Sequence, residues 1–254
     1  MPLIQLNPLQ IFYTQQGQGQ DILCLHGWAV DHTMFEPTLN AFGYAFRVSN
    51  LDLPGFGQSS MLDRPYNVDD YAEVIHQFCL ELSITNPIII AHSFGARIAL
   101  VYASKYEVCK LILTGAAGLK PKRGLDYYAK VYTYKTLKHL AKHKLFKPYA
   151  SKLSQRFGSD DYQQTSGVLR QSFVLIVNQD LRSLLPLIKC PTLLIWGEYD
   201  DSTPLWMGQV MAKEIPDAGL VVFEKDDHFA YWHQIDRFHR IINSFIQEDK
   251  KDAR

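Results

Sequence analysis

Short apolar runs recur along this chain, each ending in glycine or a polar loop and most of them followed by a stretch of helical spacing. The runs are DILCLHG (21–27), AFRVSNLDLPGFG (45–57), the segment 87–91 with Ile88, Ile89 and Ile90, CKLILTG (109–115), CPTLLIWG (190–197) and GLVVFEK (219–225). Between them, VDDYAEVIHQFCLEL (68–82) carries apolar residues at Val68, Tyr71, Val74, Ile75, Phe78 and Leu82, the periodicity of an amphipathic helix. Further helices are expected from Phe94 to Ser104, near 204–214 and near 235–246, and IFYTQQ (11–16) reads as a short strand. Strands without polar alternation are buried on both faces, and strands alternating with helices build a parallel sheet covered on both sides. The expected fold class is therefore α/β.

One stretch breaks the alternation. Over 119–185 the strand patterns vanish, and tyrosines and lysines at helical spacing take their place in LDYYAKVYTYKTLKHLAKHKLF. This segment reads as a helical insertion over the carboxyl edge of the sheet. The core is then expected from 1–118 and 186–254, with 119–185 as an inserted all-helical cap. The insertion's lysines are read as a solvated helix face, because the 26 Lys+Arg of the chain are balanced by 26 Asp+Glu.

Sheets of this kind bind ligands where their strands end. Here the ends read HGW, DLPGFGQS, HSFG, GAAG, GEYDDSTP and DDHF, so the chemically capable residues gather on one edge. Ser93 stands where the apolar strand 87–91 turns into a helix, with the small residues Ala91 two before and Gly95 two after. A helix N-cap is one reading of such a serine. A nucleophile elbow is the other, in which a strained turn exposes the hydroxyl and bulky neighbours would clash.

A seryl nucleophile needs an imidazole to accept its proton and a carboxylate to fix that imidazole's tautomer. His26, His92 and His228 follow strand ends directly, with His32 a little beyond, but only His228 comes after the acidic loop of the penultimate strand. That loop, WGEYDDSTP (196–204), offers Glu198, Asp200 and Asp201, and one of its aspartates is also expected to cap the following helix. Oxyanion donors are expected from the backbone N–H of Phe94, the residue after the serine, and of Trp28 in the loop after ILCLHG. Gly27 permits close backbone approach there. His26, Gly27, Met34 and Phe229 are the expected substrate-binding residues.

Five pieces, LHGW (25–28), DLPGFGQS (52–59), AHSFGARIAL (91–100), PTLLIWGEYDDSTP (191–204) and DDHFAYWHQIDRF (227–238), occur in the order found in the α/β-hydrolase fold superfamily. The chain resembles the serine-bearing branch of that superfamily that carries a helical cap after the sixth strand. The resemblance implies a mostly parallel eight-stranded sheet with helices on both faces. It carries the acid to Asp200, the third residue after Gly197, with Asp201 in reserve, and the base to His228. Two positions depart from the usual pattern: Ala91 stands where glycine is commoner, as does Asp227.

The resemblance implies a serine hydrolase that cleaves carboxylic esters of small to medium apolar acyl or aryl substrates through an acyl-enzyme. The same three side chains would serve a C–C hydrolase of vinylogous diketones or an aminopeptidase-type amidase, and a ligand receptor with this fold is a non-enzymatic alternative. No cofactor and no metal are expected: GQGQDI and GFGQSS lack the third glycine of a dinucleotide fingerprint, and neither GxxxxGK nor HExxH occurs. The formal charge of zero does not suit a nucleic-acid partner. The four cysteines form no zinc spacing, no apolar run reaches membrane-span length, and the N-terminus does not read as a signal peptide. A cytoplasmic protein acting on a small-molecule ester is the expectation, and nothing in the sequence requires a second copy.

Overall fold

The computed structural model describes residues 2–120, 132–133 and 165–247. Most of the expected cap helices, with His139, His143, Asp160 and Asp161, lie outside the described residues. The strands are β1 (Leu3–Leu6), β2 (Leu9–Gln16), β3 (Asp21–Leu25), β4 (Arg47–Leu51), β5 (Ile88–His92), β6 (Lys110–Thr114), β7 (Thr192–Gly197) and β8 (Ala218–Phe223). They form one eight-stranded sheet in the order β1-β2-β4-β3-β5-β6-β7-β8. From β4 to β8 every pairing is parallel, and β2 runs antiparallel to both of its neighbours.

Among the described residues, the α-helices with both ends defined are α1 (Glu36–Phe42), α2 (Val68–Glu81), α3 (Phe94–Lys105), α4 (Gly167–Asn178), α5 (Trp206–Glu214), α6 (Ala230–His233) and α7 (Ile235–Gln247). Two apolar clusters separate them by face. On one face, Tyr71, Ile75 and Phe78 of α2, Ile98 and Leu100 of α3, and Met207 and Met211 of α5 pack on the sheet. On the other, Leu39 and Phe42 of α1 and Phe238, Ile242 and Ile246 of α7 do the same. The i, i+4, i+8 spacing of that last trio buries one stripe of α7 and leaves the rest to solvent. α2 starts in a reciprocal cap: Asn67 Oδ1 accepts from the Asp70 N–H, and Asp70 Oδ2 accepts from the Asn67 N–H.

Register is what assembles the edge. His92 pairs with Thr114, Thr114 with Ile195, and Gly197 with Phe223. The loops that follow β5, β6, β7 and β8 therefore emerge side by side, bringing Ser93, Gly115, Asp200 and His228 to one place from across the chain.

α4, which precedes β7, is fastened to the rest of the fold. Buried Arg97 of α3 donates through Nη1 to the carbonyls of Ile176 (2.8 Å) and Gln179 (2.9 Å), at the carboxyl end of α4. Burial lowers the pKa of this guanidinium to about 10. Gln179 accepts from the Val68 N–H and donates to Asp69 at the start of α2, while Ser172 Oγ accepts from the Tyr66 N–H.

Candidate active site

At the β5–α3 junction the chain makes a turn that side chains ordinarily avoid. Ser93 has φ +49° and ψ −104°, a left-handed conformation that costs a non-glycine residue about 1–3 kcal/mol. The turn exists because α3 leaves the sheet almost on top of β3. A Cβ placed on Gly95 would lie 2.2 Å from the Leu25 carbonyl oxygen, so only glycine fits. Ser93 occupies the N-cap position of α3, yet its side chain makes no capping bond. Its hydroxyl is turned toward His228, with Oγ 3.0 Å from Nε2.

His228 follows β8, and on its other side Nδ1 lies 2.7 Å from Asp200 Oδ2. The carboxylate beyond it has a donor for every direction in which it accepts. Oδ1 accepts from the backbone N–H groups of Ser202 (2.9 Å) and Thr203 (2.7 Å), and Oδ2 accepts from the Thr203 hydroxyl (2.8 Å) as well as from His228. Asp200 is buried, whereas Asp201 is exposed and Glu198 accepts from the Lys225 N–H. The expected helix cap takes another form. α5 begins at Trp206 after Leu205, which makes no side-chain cap bond, and the aspartate instead ties its own loop. Gly115, at φ +50°, leaves the space that the pair fills: a Cβ there would stand 3.0 Å from His228 Nδ1 and 3.2 Å from Asp200 Oδ2.

Phe94 is the first residue of α3, so its N–H has no intrahelical partner and sits at the positive end of the helix dipole. Trp28 comes from the loop after β3. Its ring lies 4.9 Å from Phe56, 5.0 Å from Phe94 and 5.0 Å from Phe173 of α4, centroid to centroid. An aromatic wall thus joins the β3 loop, the elbow helix and α4. Gly27 abuts the elbow, where an added Cβ would be 2.9 Å from the His92 ring and 3.7 Å from Ser93 Cβ.

Two other histidines at this edge, His26 and His92, bond to backbone. His26 was expected to meet substrate, but both of its nitrogens are engaged by backbone: Nε2 accepts from the Leu53 N–H, so Nδ1 carries the proton and donates to the Gly27 carbonyl. Burial lowers its pKa to about 4. His92 donates from Nδ1 to the Thr114 carbonyl, and burial, reinforced by the nearby His228, holds it well below the ordinary imidazole range. Met34 packs in the cluster with Phe35 and Tyr231, not in the one that holds Phe94 and Trp28. Phe229 is half-exposed, with its ring 5.4 Å from those of His92 and His228.

Among the described residues, two groups are close enough to share an ion: Asp31, His32 and Asp52, and Asp226, Asp227 and His233. In the first, Asp52 accepts from the His32 N–H, His32 Nδ1 and the Gln58 N–H, which ties the loops after β3 and β4 together. The second is a surface group in which His233 pairs with Asp226. Among the described residues, no helix is long and apolar enough to cross a membrane.

Comparison with known proteins agrees with this fold. The profile of the alpha/beta hydrolase fold matches residues 22–234. A protein of Bacillus subtilis, the AB hydrolase superfamily protein YisY, is 30% identical over 92% of this chain and 94% of its own. The 2-hydroxy-6-oxononadienedioate/2-hydroxy-6-oxononatrienedioate hydrolase of Burkholderia vietnamiensis is 28% identical over 94% of this chain and 91% of its own. Among solved structures, an esterase from Exiguobacterium antarcticum superposes with a TM-score of 0.74 at 27% identity, covering 96% of this chain and 98% of the esterase. With its parallel sheet, its strained elbow at Ser93 and these matches along nearly its whole length, the chain belongs to the α/β-hydrolase fold family.

Proposed function

We propose that this α/β hydrolase is a serine esterase acting on carboxylic esters with apolar acyl or aryl groups. The observation that carries the reading is the hydrogen-bonded line from Ser93 Oγ to His228 Nε2 (3.0 Å) and from His228 Nδ1 to Asp200 Oδ2 (2.7 Å). With Asp200 accepting at Nδ1–H, Nε2 is left as the base that faces the hydroxyl. Ser93 Oγ attacks the ester carbonyl carbon while His228 takes its proton. The negative charge that forms on the carbonyl oxygen is held by the N–H groups of Phe94 and Trp28. The tetrahedral adduct collapses, the C–O bond to the alcohol breaks, and His228 returns the proton to the leaving oxygen. Water then attacks the acyl-enzyme by the same route in reverse.

The aromatic wall of Trp28, Phe56, Phe94 and Phe173 supports an apolar substrate. Phe173 on α4 also supports the reading of 119–185 as a cap that helps enclose it. Several relatives are named as hydrolases of 2-hydroxy-6-oxononadienedioate or of 2-hydroxy-6-oxo-6-phenylhexa-2,4-dienoate, and this favours, as a second reading, cleavage of a vinylogous diketone by the same three side chains. The test is steady-state hydrolysis of p-nitrophenyl esters of increasing acyl length, with Ser93→Ala as control. Turnover that disappears in Ser93→Ala supports the esterase. Turnover that persists in that variant removes the seryl mechanism. Absence of ester turnover together with Ser93-dependent cleavage of a dienone diketone replaces the first reading by the second.

A further inference from the structure

We infer that Thr203 is a positioning residue whose hydroxyl orients His228 by sharing the Asp200 carboxylate with it; this rests on the proposed roles of Ser93, His228 and Asp200. Thr203 Oγ1 lies 2.8 Å from Asp200 Oδ2, 3.0 Å from the Gly115 carbonyl oxygen and 3.3 Å from His228 Nδ1. The hydroxyl has one hydrogen and two acceptors within reach. The nearer acceptor bears a full charge, and a charge-assisted bond is about twice as strong as a neutral one, so the hydrogen points to Asp200. The oxygen's lone pairs then face His228 Nδ1–H, which has Asp200 Oδ2 as its main acceptor at 2.7 Å and Thr203 as a longer second one.

The hydroxyl is held in place before any substrate arrives. The Thr203 N–H donates to Asp200 Oδ1 (2.7 Å), and its carbonyl accepts from Nε1 of fully buried Trp196 (2.6 Å). Thr203 itself is buried, so water does not substitute for its side chain. A hydroxyl that donates to Oδ2 and accepts from Nδ1–H bridges the carboxylate and the imidazole, and so holds the two in one fixed geometry. The other groups facing this imidazole do not vary with it. His92, from β5, is neutral and commits Nδ1 to Thr114, while Asp227 on the same loop accepts from the Phe229 N–H and lies near His233.

Thr203→Val keeps the branched shape and removes the hydroxyl, and Thr203→Ser keeps the hydroxyl and removes a methyl group. The His228 imidazole is titrated by NMR in the full chain and in both variants, a reading that needs no turnover. The expected result is a displaced His228 titration in Thr203→Val and an unchanged one in Thr203→Ser. The acidic limb of the kcat/KM profile should move with it. On ester, kcat of Thr203→Val should fall on the order of tenfold, with KM within about twofold. An unmoved titration in Thr203→Val overturns the inference. So does a shift that Thr203→Ser fails to restore, since packing rather than the hydroxyl would then be responsible. The Ser93→Ala control is read separately: turnover that survives it removes the esterase reading, while the titration still decides the role of Thr203.

Discussion

Asp200 and Asp201 are adjacent in sequence and opposite in surroundings. The first is enclosed by four donors and the second faces solvent. Asp200→Asn would present an amide N–H to His228 Nδ1, drive the proton to Nε2 and leave Ser93 without a base. Turnover should fall on the order of 10⁴-fold, as in the serine-protease precedent, while Asp201→Asn stays within about twofold. A steady-state comparison of the two variants decides it, and a dead Asp201→Asn beside an active Asp200→Asn would reverse the assignment. The sequence could suggest Ser93, Asp200 and His228 because loop position and chain order narrow the choice, and the fold does bring those three together. It could not suggest Thr203, since threonines are common and only the folded loop shows which hydroxyl reaches a carboxylate. An Asp followed by Thr at the third position, just before a proline, is the signal that would have pointed there. Nor could sequence separate the histidines by surroundings: His26 and His228 both follow strand ends, and only the fold shows one bonded to backbone and the other between Asp200 and Ser93.

At the scale of elements, the elbow is a collision avoided by one missing methyl group. Gly95→Ala would put a Cβ 2.2 Å from a backbone carbonyl, which neither α3 nor β3 can yield without losing the turn. We expect that variant to lose turnover and to melt earlier. Gly219→Ala in β8 is the matched control. Nothing lies within 4 Å of its added Cβ, so it should be neutral or stabilising by a few tenths to about 1 kcal/mol. Thermal melts of the pair make the comparison. Long periodic elements such as α2 and α7 were legible because each buries one face over three turns or more. β1 was not, since its four residues lie at the sheet edge with Leu3 exposed. The seven-residue α1 also escaped notice, being too short to show a period.

For the whole molecule, the buried histidines tie stability to acidity. His26 and His92 are held neutral in the fold, so their pKa values lie below the ordinary imidazole value of about 6.5. Below that pH the unfolded chain takes up protons that the folded chain refuses. Stability should therefore fall as pH drops from about 6.5 to 5, by up to about 1.4 kcal/mol per pH unit for each histidine, easing for His26 near pH 4. Urea midpoints measured across that range test the slope, and a flat profile would contradict the two assignments. Parallel architecture was readable at this scale from the alternation of runs and helices, whereas the fastening of α4 was not, because Arg97, Ser172 and Gln179 look like ordinary polar residues of amphipathic helices. That fastening bears on how such a protein is re-engineered. A designer wishing to graft a foreign insertion between β6 and β7 would naturally cut at its two ends. Cutting after Gln179 would strand the Arg97 guanidinium and the N–H groups of Tyr66 and Val68 without these acceptors. The exchangeable cassette ends before Ser166, and everything from there on must travel with the scaffold.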